Sequence, residues 1–131
     1  MVPALEIENL GKTYGSAVAV NGISFVIKPG EFFGFLGPNG AGKTTTIHCI
    51  TGIARITSGS IRVYGHDVVK DYREARRHVG LAPQEFNVDI FSSVRDILDY
   101  VGGFYGMRKA ERKERIEHLL EQFDLTEHAK K

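Results

Sequence analysis

The chain has 131 residues, 42% of them hydrophobic and 25% charged, and a formal net charge of +1. This is an ordinary composition for one globular domain, and the balanced charge gives no electrostatic case for nucleic acid or an anionic membrane surface. No apolar run approaches the ~18 residues of a membrane span. The start, Met-Val-Pro-Ala-Leu-Glu, lacks the basic region and apolar core of a signal peptide, and the single Cys49 cannot form an internal disulfide. These features predict a cytoplasmic protein with a reduced thiol.

In chain order, Leu5 and Ile7, then Val18, Val20, Ile23, Phe25 and Ile27, alternate as an antiparallel, half-buried strand region interrupted by Gly11 to Gly15. Pro29-Gly30 predicts a turn. Phe32, Phe33, Phe35 and Leu36 run without alternation, as in a strand of a parallel sheet covered on both faces. Thr44 to Thr51 predicts a helix with Ile47 and Ile50 on one face, ended by Gly52, with Cys49 as a small filler. A short strand over Ser60 to Tyr64, closed by Gly65, a helix over Asp71 to His78 and a strand over Val79 to Ala82 follow. Ser93 is placed to cap a helix carrying Val94, Ile97, Leu98 and Val101, in which Gly102-Gly103 implies a break or tight packing. The last helix, Ala110 to Phe123, repeats Ile116, Leu119, Leu120 and Phe123 at helical spacing. Its basic run, Arg108, Lys109, Arg112, Lys113 and Arg115, is read first as a solvated face, with Glu111 four residues before Arg115, and second as a docking surface.

One stretch carries chemistry. Gly37-Pro38-Asn39-Gly40-Ala41-Gly42-Lys43-Thr44-Thr45 fits G-x-x-x-x-G-K-[ST] and stands between a predicted strand and a predicted helix. Gly37, Gly40 and Gly42 let the backbone turn and approach an anion without Cβ clashes. The loop N–H groups and the positive end of the helix then attract phosphate. Lys43 adds a point charge for the β/γ-phosphates, and the Thr44 hydroxyl suits Mg²⁺. An accidental match would occur in roughly one chain in a hundred of this length, and the strand-before, helix-after context makes accident rarer still. The dinucleotide fingerprint G-x-G-x-x-G fails, because the count from Gly40 and Gly42 ends on Thr45.

Two flanking segments narrow the field: Lys12-Thr13-Tyr14-Gly15 upstream, and Gly80-Leu81-Ala82-Pro83-Gln84-Glu85 downstream. With Thr57-Ser58-Gly59 and Phe91 to Leu98, they make the chain resemble the nucleotide-binding domain of ABC transporters from about Leu5 onward, and most of all bacterial export-type ATPases that pair with a separate permease. The resemblance implies an α/β fold, a P-loop NTPase of the ABC ATPase type, represented incompletely: N-terminal antiparallel strands, part of the parallel core sheet and part of the helical subdomain. It divides residues 1–131 into a nucleotide-binding core, 1–83, and a glutamine loop with the start of the helical subdomain, 84–131. ATP and Mg²⁺ are the implied cofactors. Tyr14 matches the aromatic that stacks on adenine, Thr45 an α-phosphate contact, and Thr44 and Gln84 the metal contacts. A membrane permease is the implied partner, docking through the region after Gln84 and placing the protein at the inner face of the cell membrane.

The departures matter as much. The family's Ser-Gly-Gly signature, its apolar strand ending in Asp-Glu and its switch histidine do not occur in these 131 residues. No general base for hydrolysis is present, so no catalytic residue is assigned and the isolated chain is expected to be inactive as an ATPase. The chain reads as the front part of such a domain, with exposed strand edges that favour self-association. A binding module without turnover and a soluble ABC ATPase of repair or translation are the competing readings; the latter would carry insertions or nucleic-acid patches absent here. A small GTPase is disfavoured: Asn-Lys-x-Asp is missing, and the one Asp-x-x-Gly, at Asp99 to Gly102, falls inside a helical pattern. A small-molecule kinase lacks any lid-like segment.

Overall fold

The structure, a computed structural model, describes residues 1–82 and 91–130. It divides into two compact units, residues 1–82 and 83–131. Gln84 and the rest of residues 83–90 lie outside the described residues.

The first unit is built on a four-stranded antiparallel sheet in the order β2-β1-β3-β4. Its strands are β1 (Leu5–Tyr14), β2 (Ala17–Ile27), β3 (Ser58–Val63) and β4 (His66–Asp67). The expected interruption at Gly11 to Gly15 is confined to the Gly15-Ser16 turn: Gly11, Lys12, Thr13 and Tyr14 remain paired with β2. Ile7 and Leu10, three residues apart, would face opposite ways in a regular strand, yet both are buried. A register shift between them reconciles the two, with Asn9 in the left-handed region (φ 47°) and its N–H donating to Ser24 Oγ at 2.8 Å.

Helix α1 (Lys43–Thr51) lies against this sheet and is ended by Gly52 at φ 76°, as the sequence predicts. Its buried positions are Thr46 and Cys49, while Ile50 is only partly buried and Ile47 is exposed. Cys49 joins Ile7, Leu10, Val20, Ile61 and Val63 in the core. Burial pushes its thiol pKa up, against the opposing pull of the Lys12 charge, which fits an inert filler. Helix α2 (Tyr72–Arg77) buries Ala75.

Two expected strands are not formed. Residues 32–36 and 79–82 join no ladder among the described residues. A parallel strand takes its hydrogen bonds from neighbours on either side, and among the described residues no strand flanks these segments. Phe33 and Phe35 instead rest on Phe25, with ring centroids 5.0 and 5.7 Å apart, while Phe32 is 102% and Leu36 92% exposed.

The second unit pairs α3 (Val94–Phe104) with α4 (Lys109–Gln122), followed by a 3-10 turn at Thr126–His128. Ser93 caps α3 in a reciprocal box: its Oγ accepts from the Asp96 N–H at 3.2 Å and its own N–H donates to Asp96 Oδ2 at 3.4 Å. Ile116, Leu120 and Ala129 form the core, with Val94, Leu98 and Leu125 against it. Gly102-Gly103 marks tight packing rather than a break, since α3 runs through both. A Cβ on Gly102 would stand 2.9 Å from Arg112 Cδ. Arg112 therefore departs from the expected solvated face: it bonds Asp99 Oδ1 at 2.8 Å and the Met107 carbonyl at 2.9 Å. Arg95 and Glu117 form a second, two-pronged pair between the helices, at 2.6 and 2.9 Å.

Candidate phosphate-binding loop and its surroundings

Residues 37–45 form an exposed turn running into α1. Gly40 (φ 84°) and Gly42 (φ 85°) both occupy the left-handed region that L-residues avoid. At Gly42 a second constraint acts, because an added Cβ would lie 2.4 Å from the Ala19 carbonyl oxygen of β2. The loop's end is thereby pressed onto the sheet. The Ala41 N–H donates to the Pro38 carbonyl at 3.2 Å, and both Thr46 N–H and Thr46 Oγ1 donate to the Gly42 carbonyl, at 2.8 and 2.9 Å.

The start of α1 has the electrostatics of an anion site. Gly42 is its N-cap, no side chain caps it, and its first turn holds no acidic residue. The leading N–H groups of a helix have no intrahelical acceptor and carry its positive end. The ammonium of Lys43 folds back over the loop, donating to the carbonyl oxygens of Gly37 and, at 2.7 Å, Pro38. Thr44 is exposed on the first turn, whereas the Thr46 and Thr51 hydroxyls are turned back onto helix carbonyls. No cluster of three His, Cys, Asp or Glu able to hold a metal occurs among the described residues. A Mg²⁺ ion takes oxygen ligands, and the Thr44 hydroxyl, exposed on this turn, is of that kind.

Tyr14, at the end of β1, is about half exposed, and the Lys12 ammonium lies over its ring, 4.5 Å from the centroid. Tyr14 pairs with Ala17, two residues along β2 from the Ala19 carbonyl that meets Gly42. At ~3.4 Å per residue that is about 7 Å along the strand. The hairpin end and the loop are thus neighbours on one strand. Gln84, the remaining predicted site residue, lies outside the described residues. A cavity of about 740 Å³ opens elsewhere in this unit, lined by Cys49, Arg55, Lys70 and Arg76 among others, and no residue of 37–45 lines it. A cradle made of backbone N–H groups on an exposed turn does not need a deep cavity.

Lys12, Thr57 and Ser58 had no role of their own in the sequence reading, although they stand within segments it singled out. Thr57 Oγ1 accepts from the Thr13 N–H at 3.1 Å, and the Thr57 N–H donates to the Gly11 carbonyl at 2.9 Å.

The family model for ABC transporters matches residues 20–131. The linearmycin resistance ATP-binding protein LnrL of Bacillus subtilis is 43% identical over 126 residues, 96% of this chain and 40% of that protein. Nod factor export ATP-binding protein I of Paraburkholderia xenovorans is 43% identical over 118 residues, 90% of this chain and 39% of that protein. A solved structure of the ATP-binding subunit of an ABC transporter superposes with a TM-score of 0.83 at 28% identity, covering 97% of this chain and 53% of the other. The chain thus spans about 40% of the length of the curated relatives it matches. With the glycine-lysine loop opening helix α1, and matched across most of its length by that family, this chain belongs to the ABC transporter ATP-binding proteins.

Proposed function

We propose that residues 37–45 bind the triphosphate of ATP as its magnesium complex, in a protein that works with a membrane permease in export. The observation that carries this reading is the uncapped, acid-free start of α1 behind two left-handed glycines, with Lys43 folded over the loop. The backbone N–H groups at the start of α1 meet the phosphates, and Lys43 exchanges its carbonyl partners for phosphate oxygens. Thr44 and Gln84 contribute oxygens to Mg²⁺, which offsets phosphate charge when bound. Thr45 meets the α-phosphate and Tyr14 stacks on adenine. The permease docks through the region after Gln84, which holds the protein at the inner face of the membrane; in the described residues no helix is long and apolar enough to span it.

Calorimetry with Mg-ATP tests the site. Lys43→Ala is expected to weaken binding by more than 1 kcal/mol, since charge-assisted hydrogen bonds contribute ~1.5–3 kcal/mol. Equal affinity in wild type and variant would remove the reading.

A second reading concerns the 131-residue chain itself: it holds nucleotide without turning it over. Its support is the lack of an apolar strand ending in Asp-Glu and of a Ser-Gly-Gly segment in these residues. Without a carboxylate to orient water, hydrolysis should be negligible against the ~1 s⁻¹ or faster of ordinary enzymes. Phosphate release at that rate by the purified chain, abolished by Lys43→Ala, would contradict it.

A further inference from the structure

The segment Thr57-Ser58-Gly59 makes its closest approaches to one strand, β1, and each residue does so differently. β3 begins at Ser58, which is paired with Gly11. Beyond that point β1 has no β3 backbone to bond, yet the Thr13 N–H still finds an acceptor, the Thr57 hydroxyl oxygen at 3.1 Å. The Thr57 side chain takes the place of the next ladder carbonyl. The Thr57 N–H closes the other half of the exchange on the Gly11 carbonyl at 2.9 Å. Ser58 Oγ occupies the space beside Gly11, 2.2 Å from where a Cβ would stand. Gly59, at φ +81°, lets the turn approach the Glu8 and Asn9 carbonyls, which a Cβ there would meet at 2.4 and 2.3 Å. The part of β1 so held ends in Lys12 and Tyr14, the ammonium 4.5 Å from the ring centroid.

We propose that Thr57 is a positioning residue for the base-binding side of the site: its hydroxyl holds the end of β1 so that Tyr14, with Lys12 on its ring, presents a fixed face to the base. This deepens the reading of Tyr14 as the adenine platform and rests on it. Stacking needs a ring held in place, and an exposed strand end whose N–H bonds water in place of the Thr57 hydroxyl is freer to fray. Because Thr57 acts on the base end only, it separates affinity for the base from affinity for the phosphates.

The test compares two ligands on the whole 131-residue chain by calorimetry: Mg-ATP and inorganic tripolyphosphate. Thr57→Val, which removes the hydroxyl and keeps the shape, is expected to weaken Mg-ATP binding about fivefold, the loss of one net hydrogen bond, with tripolyphosphate unchanged. Thr57→Ser should restore wild-type ATP affinity. Tyr14→Leu should weaken Mg-ATP about tenfold or more, again sparing tripolyphosphate. If Tyr14→Leu leaves ATP affinity intact, the base-platform reading itself fails. If Tyr14→Leu lowers it and Thr57→Val does not, only the role of Thr57 fails. An equal loss of both ligands in Thr57→Val would show general damage and overturn the proposal. Hydrogen exchange on the wild type decides the matter even if Thr57→Val does not fold: the Thr13 amide should be protected, and exchange at the free-chain rate would overturn the proposal.

Discussion

Gly42→Ala is expected to destabilise the first unit by about 3 kcal/mol or more, since the left-handed conformation costs an L-residue ~1–2 kcal/mol and a backbone clash adds to it. The two causes are separable within the same loop. Gly40, at φ +84°, has nothing within 4 Å of where its Cβ would be, while the Cβ of residue 42 would stand 2.4 Å from the Ala19 carbonyl oxygen and 3.2 Å from Val20 Cγ2. Ala19 is the extra residue at the register shift between the Lys12 and Thr13 pairs, but its carbonyl belongs to the backbone of β2 and, unlike a side-chain tip, moves only with the strand. Gly40→Ala should therefore show conformational strain alone, and Gly42→Ala strain plus displacement of α1 from β2. Urea unfolding of both variants measures the difference. Equal costs would show that the loop is not seated on the sheet as described.

The second large effect is association. Phe32 and Leu36 are almost wholly exposed, and residues 32–36 join no ladder among the described residues. Backbone outside any ladder beside large exposed apolar side chains is a surface for another chain to cover. Burying even ~400 Å² of such surface is worth ~10 kcal/mol gross at 25 cal/mol/Å², before association entropy and polar desolvation are subtracted. The 131-residue chain is expected to form dimers or larger assemblies and to bind an apolar dye. The double substitution Phe32→Ser with Leu36→Ser should reduce both. Light scattering from a clean monomer at high concentration, with no dye binding, would contradict the expectation.

Those exposed residues also mark where sequence reasoning and structure part. Wherever a local rule suffices, the sequence was legible. Glycine at 42 and 52 brackets α1, Ser93 caps α3 through Asp96, and the glycine-lysine loop stands where its spacing puts it. The run Phe32 to Leu36 has the composition of a buried parallel strand, but a parallel strand is a property of its neighbours, and no flanking strand among the described residues supplies its bonds. Long-range pairs were illegible for a similar reason. Nothing local to Arg112 announces that its stem lies against Gly102 or that its guanidinium bonds Asp99, thirteen residues earlier. The Asn9 register shift, which keeps both Ile7 and Leu10 inside, was equally invisible to an alternation rule that assumes an unbroken period. In the candidate site the residue types and their order were readable. The inward fold of Lys43 depends on how the loop turns back on itself, and the support of β1 by Thr57 on a contact between residues forty-four apart.

The fold of Lys43 onto Gly37 and Pro38 would make the proposed ligand capture at this loop an exchange and not an addition. The ammonium already serves as a temporary occupant, tying the first turn of the loop to its last residue by contacts with neutral oxygens. A phosphate must displace those contacts before it gains its own, so the affinity the lysine confers is the difference between charged and uncharged acceptors. If the loop takes a phosphate, the group that meets it is the one that bridges the loop's own carbonyls beforehand.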